Sequence, residues 1–292
     1  MFEEFKPFDI AVQPGLNIHG IRGGSGPPLL LLHGFPQSHH IWHLIAPKLT
    51  NDFTVMAIDL RGYGASSKPI GDEHHKLYAK SAMAKDCIDV MADLGFDQFY
   101  VGAHDRGARV AHKLCVDYPQ AVRKVILVDI CPTLAMYNKT DQEFATAYFH
   151  WFLLIQAAPF PETIITHSPM AFAERFFGRA GMCVFDHECL AYYISMLANP
   201  EAVHGMCEDY RAGASIDMEE ARKDIEANRL VKCPVRVLWG KKGVIEKSYD
   251  AISEWKEVHA SGEVDGRSVD CGHYIPEEAP DVVVEHIKDF FV

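Results

Sequence analysis

The chain has no CxxC pair, although it carries eight cysteines. Cysteines 87, 115, 131, 183, 189, 207, 233 and 271 sit mostly inside apolar segments, so reduced core residues are expected, not a disulfide framework or a metal knuckle. Positive charge is scarce as well. With 28 Lys and Arg against 40 Asp and Glu, the net charge of −12 repels polyanions on average and disfavours a nucleic-acid-binding surface. No apolar run approaches the ~20 residues of a membrane helix. The opening MFEEFKPFDI lacks the basic and apolar regions of a signal peptide, which with the reduced cysteines gives a cytoplasmic expectation. None of the sixteen histidines forms HxxxH on a convincing helix or pairs with cysteine at finger spacing. Neither a metal nor a cofactor is therefore expected. Repeats and low-complexity linkers are also missing.

What is present is an alternation of short apolar runs with longer amphipathic ones. PPLLLLHG (27–34), FTVMAIDL (53–60), QFYVGAH (98–104), VRKVILVDI (122–130) and PVRVLWG (234–240) read as strands buried on both faces, with crossover helices between them. This predicts an α/β fold, a mostly parallel sheet with helices on both faces, and functional residues at the carboxyl ends of the strands. The alternation breaks between 134 and 225. Residues 141–210 hold eight of the 17 phenylalanines together with Trp151, in a helical period interrupted by prolines 159, 161 and 169. The segment reads as an inserted helical cap with an apolar face toward the sheet, leaving 1–133 and 226–292 as the core.

One further absence concerns chemistry. In VGAHDRGARVAHKLC (101–115) a strand turns sharply into a helix, where many hydrolases place a serine, and Asp105 stands there instead. Ala103-His104-Asp105-Arg106-Gly107 has the form small-x-nucleophile-x-small, which lets strand and helix pack around a strained bend. Asp105 could equally act as a plain helix N-cap. HGFP (33–36) follows the first long strand, and the Phe35 and Arg106 backbone amides can together hold an oxyanion. DCGHYIPEEAP (270–280) sets His273 in a glycine-bordered loop, giving the chain order of nucleophile, acid and histidine seen in α/β-hydrolase triads.

With DLRGYGASSKP (59–69), HDRGARV (104–110), VDI (128–130), FHW (149–151), CEDYRAG (207–213) and GHYIPEE (272–278), the whole chain resembles the haloacid-cleaving α/β-hydrolases, the fluoroacetate (haloacetate) dehalogenases. The resemblance implies an α/β-hydrolase fold and puts the triad acid at Asp129. After the strand near 234–240, where many relatives carry it, WGKKGVIEK offers only Glu246. An aspartate nucleophile suits displacement at an sp³ carbon, because the resulting ester can be hydrolysed, with His273 as general base, whereas a serine ether could not. Haloalkane dehalogenases and epoxide hydrolases generally have tryptophan after the nucleophile, and this chain has arginine. A cation in a first helical turn is disfavoured by about 0.3–1 kcal/mol, a penalty that a bound anion removes. Arg106 and Arg109 share a helix face and can converge on one substrate carboxylate, the alternative for each being a salt bridge to a neighbouring acid. By resemblance His150, Trp151 and Tyr210 bind the halide, the alternative being an aromatic core stripe. The implied activity converts fluoroacetate to glycolate and fluoride without a cofactor, with water as co-substrate, in a homodimer. An epoxide hydrolase with the same Asp/His chemistry and a dehalogenase restricted to chloro- and bromoacetate are the rival readings. A non-catalytic receptor on this fold is disfavoured by the intact Asp105, Asp129 and His273.

Overall fold

The computed structural model describes residues 1–178 and 180–292. Its sheet has eight strands, β1 (Lys6–Gln13), β2 (Leu16–Gly24), β3 (Pro28–Leu32), β4 (Thr54–Ile58), β5 (Phe99–His104), β6 (Val122–Val128), β7 (Val235–Gly240) and β8 (Val264–Val269), in the order β1-β2-β4-β3-β5-β6-β7-β8. β1 pairs with β2 and β2 with β4 antiparallel, and every pairing from β4 through β8 is parallel. The five apolar runs appear as β3 to β7, each within the expected span. β1, β2 and β8 leave no such run in the sequence because they are only half covered. β8, VDGRSV, exposes three successive residues at the sheet edge.

β3 and β4 are buried almost throughout, and their side chains alternate between two cores. Leu30, Leu32, Met56 and Ile58 face one side of the sheet, with Met83, Cys87, Val110 and Leu114 from helices α1 (Lys80–Asp93) and α2 (Asp105–Asp117). Leu29, Leu31, Val55 and Ala57 face the other, against Val283, Ile287 and Phe291 of the C-terminal helix Pro280–Phe291. Helices therefore cover both faces.

Between β6 and β7 the described residues form a run of helices, from Thr133–Asn138 to Ile216–Glu226, followed by a single β-bridge from Val231 to His259. The prolines that interrupt this segment mark helix starts: Pro161 and Pro169 lie in first turns, where the missing N–H costs no intrahelical bond. Asp141, Asp186 and Asn199 cap further helices through their side chains. All eight cysteines are free and only Cys183 is exposed. Among the described residues no helix is long and apolar enough to cross a membrane.

Candidate active site

β5 runs into α2 through Asp105, whose φ of 47° is left-handed, and β6 ends in Asp129 with φ 55°. Such conformations cost non-glycine residues about 1–3 kcal/mol and persist only where the surroundings impose them. The bend needs its small neighbours. A Cβ on Gly107 would lie 2.3 Å from the His33 carbonyl oxygen, and one on Gly34 would lie 2.5 Å from the Asp105 Cβ. The Asp105 carboxylate does not cap α2. Its Oδ1 accepts the Phe35 backbone N–H at 2.9 Å.

His273 lies in the loop after β8. Its Nδ1 pairs with Asp129 Oδ2 at 2.5 Å, and Asp129 Oδ1 accepts the Gly240 N–H at 2.8 Å. This fixes the tautomer, with Nδ1 carrying the proton and Nε2 free to accept one. Nε2 stands 4.0 Å from Asp105 Oδ2, too far for a direct hydrogen bond, so neither group is tied up by the other. Burial works against the Asp105 charge, but His273, His104, Arg109 and Arg106 together hold its carboxyl below the usual range. Burial likewise pushes His273 down, and its bond to Asp129, with the charges of Asp129, Asp105 and Glu278, outweighs this and raises it above 6.5. His104, lowered to about 3 by burial and by His273, stays neutral, and its Nε2–H donates to the His273 carbonyl at 2.8 Å.

A cavity of about 550 Å³ opens over these groups. Phe35, Asp105, Asp129 and His273 line it from the sheet side, and Tyr148, His150, Phe176 and Tyr210 from the helical segment. His150 stacks on Phe35 with ring centres 5.7 Å apart. The buried Tyr210 hydroxyl has no hydrogen-bond partner among the described residues. Arg106, Arg109 and Trp151 do not line the cavity and stand one layer behind it. Arg106 lies 4.2 Å from the centre of the Tyr210 ring, and Arg109 4.7 Å from that of Trp151, which is itself packed among Tyr137, Phe144 and Tyr148.

The two arginines differ in their partners. Arg106 makes a bidentate pair with Asp209 (Nε to Oδ2 and Nη2 to Oδ1, both 2.8 Å) and donates to the Asp209 carbonyl at 2.6 Å. Lys80 and the Tyr63 hydroxyl converge on the same carboxylate. Arg106 Nη1 is left buried without a partner among the described residues. Arg109 has no carboxylate at ion-pair distance among them, and donates instead to Thr133 Oγ1 at 2.8 Å, the Cys131 carbonyl at 3.3 Å and Met136 Sδ at 3.2 Å. Burial, reinforced by Arg106, lowers its pKa and outweighs the opposing pull of the Asp105 charge. The sequence reading missed Asp209, although it lies within the quoted CEDYRAG.

A possible metal cluster lies elsewhere. His19, His39 and Asp59 bring ligand atoms within 4.8 Å of one another. Asp59, however, accepts from the His39 N–H at 2.7 Å, the His39 ring at 2.9 Å and the Ala65 N–H at 2.8 Å, so its oxygens are committed to organising the DLRGYG turn.

Comparison with known proteins places the chain among relatives. A fluoroacetate dehalogenase from Burkholderia sp. is 40% identical over 99% of this chain and 95% of its own length. A soluble epoxide hydrolase from Corynebacterium sp. (strain C12) is 31% identical over 95% of this chain and 94% of its own. The crystal structure of ALR0039 from Nostoc sp PCC 7120 superposes with a TM-score of 0.96 at 46% identity, covering 100% of this chain and 99% of that one. The alpha/beta hydrolase fold family matches residues 27–280, the stretch that carries β3 to β8 and all the groups around Asp105. By its sheet order, its elbow and these matches, the chain belongs to the α/β-hydrolase fold family.

Proposed function

We propose that this protein is a hydrolytic dehalogenase of small 2-haloacids, converting fluoroacetate and water to glycolate and fluoride, with residues 134–225 as a cap over a core of 1–133 and 226–292. The observation that carries the reading is Arg109, a buried cation with no carboxylate at ion-pair distance among the described residues, one helical turn from the Asp105 nucleophile. A bound carboxylate would supply a hydrogen-bonded ion-pair partner. Arg106 Nη1 is the second donor left for it.

The two oxygens of Asp105 have different environments. Oδ2, on the His273 side and not bonded to a backbone amide, attacks the carbon bearing the halogen, and the halide leaves with the bonding pair toward His150 and Tyr210 on the cavity wall, with Trp151 in the layer behind them as the third proposed donor. Oδ1 already rests on the Phe35 N–H, so it becomes the ester carbonyl and then the oxyanion when water attacks. The Arg106 amide, in a first helical turn where amides lack intrahelical partners, is the second donor. His273 Nε2 takes the proton of that water, and Asp129 stabilises the imidazolium. On collapse of the tetrahedral intermediate the His273 imidazolium returns its proton to the departing ester oxygen, which releases glycolate, and the Asp105 carboxyl loses its remaining proton to solvent.

One observation favours an epoxide hydrolase as the second reading: Tyr148 and Tyr210 both line the cavity, where phenols would have to donate a proton to an epoxide oxygen. Burial and the charges of Asp129 and Asp105 raise Tyr148, and burial and Asp105 raise Tyr210, which makes both poorer acids. A single turnover on fluoroacetate in ¹⁸O-labelled water tests the first reading. The label is expected in Asp105 and not in the glycolate, and His273→Ala is expected to accumulate the ester, seen by mass spectrometry. Label appearing first in glycolate, or diol formation from epoxides without halide release from fluoro- or chloroacetate, would overturn it. Release of chloride alone would narrow the substrate to chloro- and bromoacetate. The resemblance further supports a homodimer, which sedimentation would test.

A further inference from the structure

We infer that Glu278 is a positioning residue for His273. Glu278 is the last residue of the short helix Ile275–Glu278, and its side chain reaches back into the loop that precedes it. Oε2 accepts the Gly272 N–H at 2.7 Å and Oε1 accepts the Tyr274 N–H at 2.9 Å, so one carboxylate holds the two amides that flank His273. The His273 carbonyl between them is held by His104 at 2.8 Å. β8 ends at Val269, and no strand ladder fixes the backbone of this loop. The Cys271 carbonyl, which accepts the Lys242 N–H at 3.0 Å, and the Tyr274 carbonyl, which accepts the Glu277 and Glu278 N–H groups at 2.8 Å, anchor the loop on either side, but the two amides next to His273 are held by Glu278. The arrangement also accounts for Gly272, where an added Cβ would lie 3.0 and 3.1 Å from the two Glu278 oxygens.

The clamp matters because Nε2 has to direct a proton transfer beside Asp105 while Nδ1 keeps its bond to Asp129. A displacement of about 1 Å in such a group can cost a hundredfold in rate. On the functional reading above, on which this part rests, His273 acts only after the halide has left, so loss of the clamp should slow ester hydrolysis and spare ester formation.

Glu278→Ala and Glu278→Gln test this with two measurements on the full chain. The first needs no substrate: the proton of a short Nδ1–H to Asp129 bond gives a downfield NMR resonance, expected in the wild type and broadened or shifted in E278A. The second is the time course on chloroacetate. E278A is expected to give a burst of chloride near one equivalent, accumulate the Asp105 ester and fall at least tenfold in kcat, and E278Q, which keeps one acceptor, to lie between. An unchanged resonance together with an unchanged kcat would overturn the role of Glu278. Loss of burst and steady rate in equal proportion would also overturn it, since that is the mark of general destabilisation. If the wild type releases no halide from any haloacetate but E278A loses the resonance, the functional reading falls and the clamp stands. If E278A does not fold, E278Q carries both measurements.

Discussion

Arg106 and Arg109 lie three positions apart on α2, and their substitutions should fail in different ways. Replacing Arg106 by leucine leaves Asp209 and Lys80 buried beside an apolar side chain, and breaking a buried pair costs about 3–5 kcal/mol, here toward the lower end because Lys80 still faces Asp209. Replacing Arg109 by leucine relieves a buried charge with no carboxylate at ion-pair distance among the described residues, which offsets the lost bonds to Thr133 and Cys131, so stability should change little. Losing a charged hydrogen bond to substrate, about 1.5–3 kcal/mol, should lower kcat/KM for chloroacetate roughly tenfold to a hundredfold. Urea denaturation and steady-state kinetics of both variants check this. An Arg109 variant that unfolds readily with normal kinetics would mean that its contacts to Thr133 and Cys131 are its whole purpose. The same residues show what a sequence makes legible. Asp105 and His273 stand out because turn chemistry confines them to a few local patterns. The claim of Asp209 on Arg106 does not, because the two lie 103 positions apart and only the fold brings them together. Trp151 likewise reads as halide ligand or core stripe from sequence alone, and the fold shows it packed behind the cavity wall.

The helix Ile275–Glu278 carries a second carboxylate with a different environment. Glu277 is buried between Gln37, whose Nε2 donates to Oε1 at 3.2 Å, and Tyr193, whose hydroxyl donates to the same oxygen at 3.0 Å, while His43 stands 3.7 Å from Oε2. It thereby joins the His273 loop, the loop after β3 and the helix His187–Leu197. Burial pushes its pKa up to about 8. Between the ordinary value of 4.5 and about 8 the folded protein keeps a proton that the unfolded chain has lost, so this group's contribution to stability is complete below the lower value and lost as pH rises through the window. Glu277→Gln keeps the shape and removes the titration. Its unfolding free energy from urea melts should vary less with pH across that window than that of the wild type. Parallel curves would show that Glu277 ionises at an ordinary pKa. At this scale the central strands were legible because both faces are buried, whereas β1, β2 and β8, half covered at or near the sheet edges, carry no continuous apolar signal.

For the whole molecule, a net charge of −12 coexists with a buried site proposed to take an anion. Acetate has the carboxylate but no leaving group. By mass action it should stabilise the native state, by about 2.7 kcal/mol at a hundred times its Kd, and the gain should vanish in Arg109→Leu. Thermal melts with acetate and with acetamide, its neutral counterpart, check this, and equal effects of the two would show that charge is not what is recognised. The ion pair between Arg106 and Asp209 also limits how molecules come and go. It fastens the nucleophile's own helix to the helix Pro200–Ala214, with Lys80 of α1 as a second rivet. Swinging that roof open would part these buried pairs and the aromatic packing around them together. Lys242 and Lys247 are exposed side chains that line the same cavity, so a closed roof leaves their side as the route by which an acid enters, and side-chain bulk there, more than any hinge, should set the largest acid admitted.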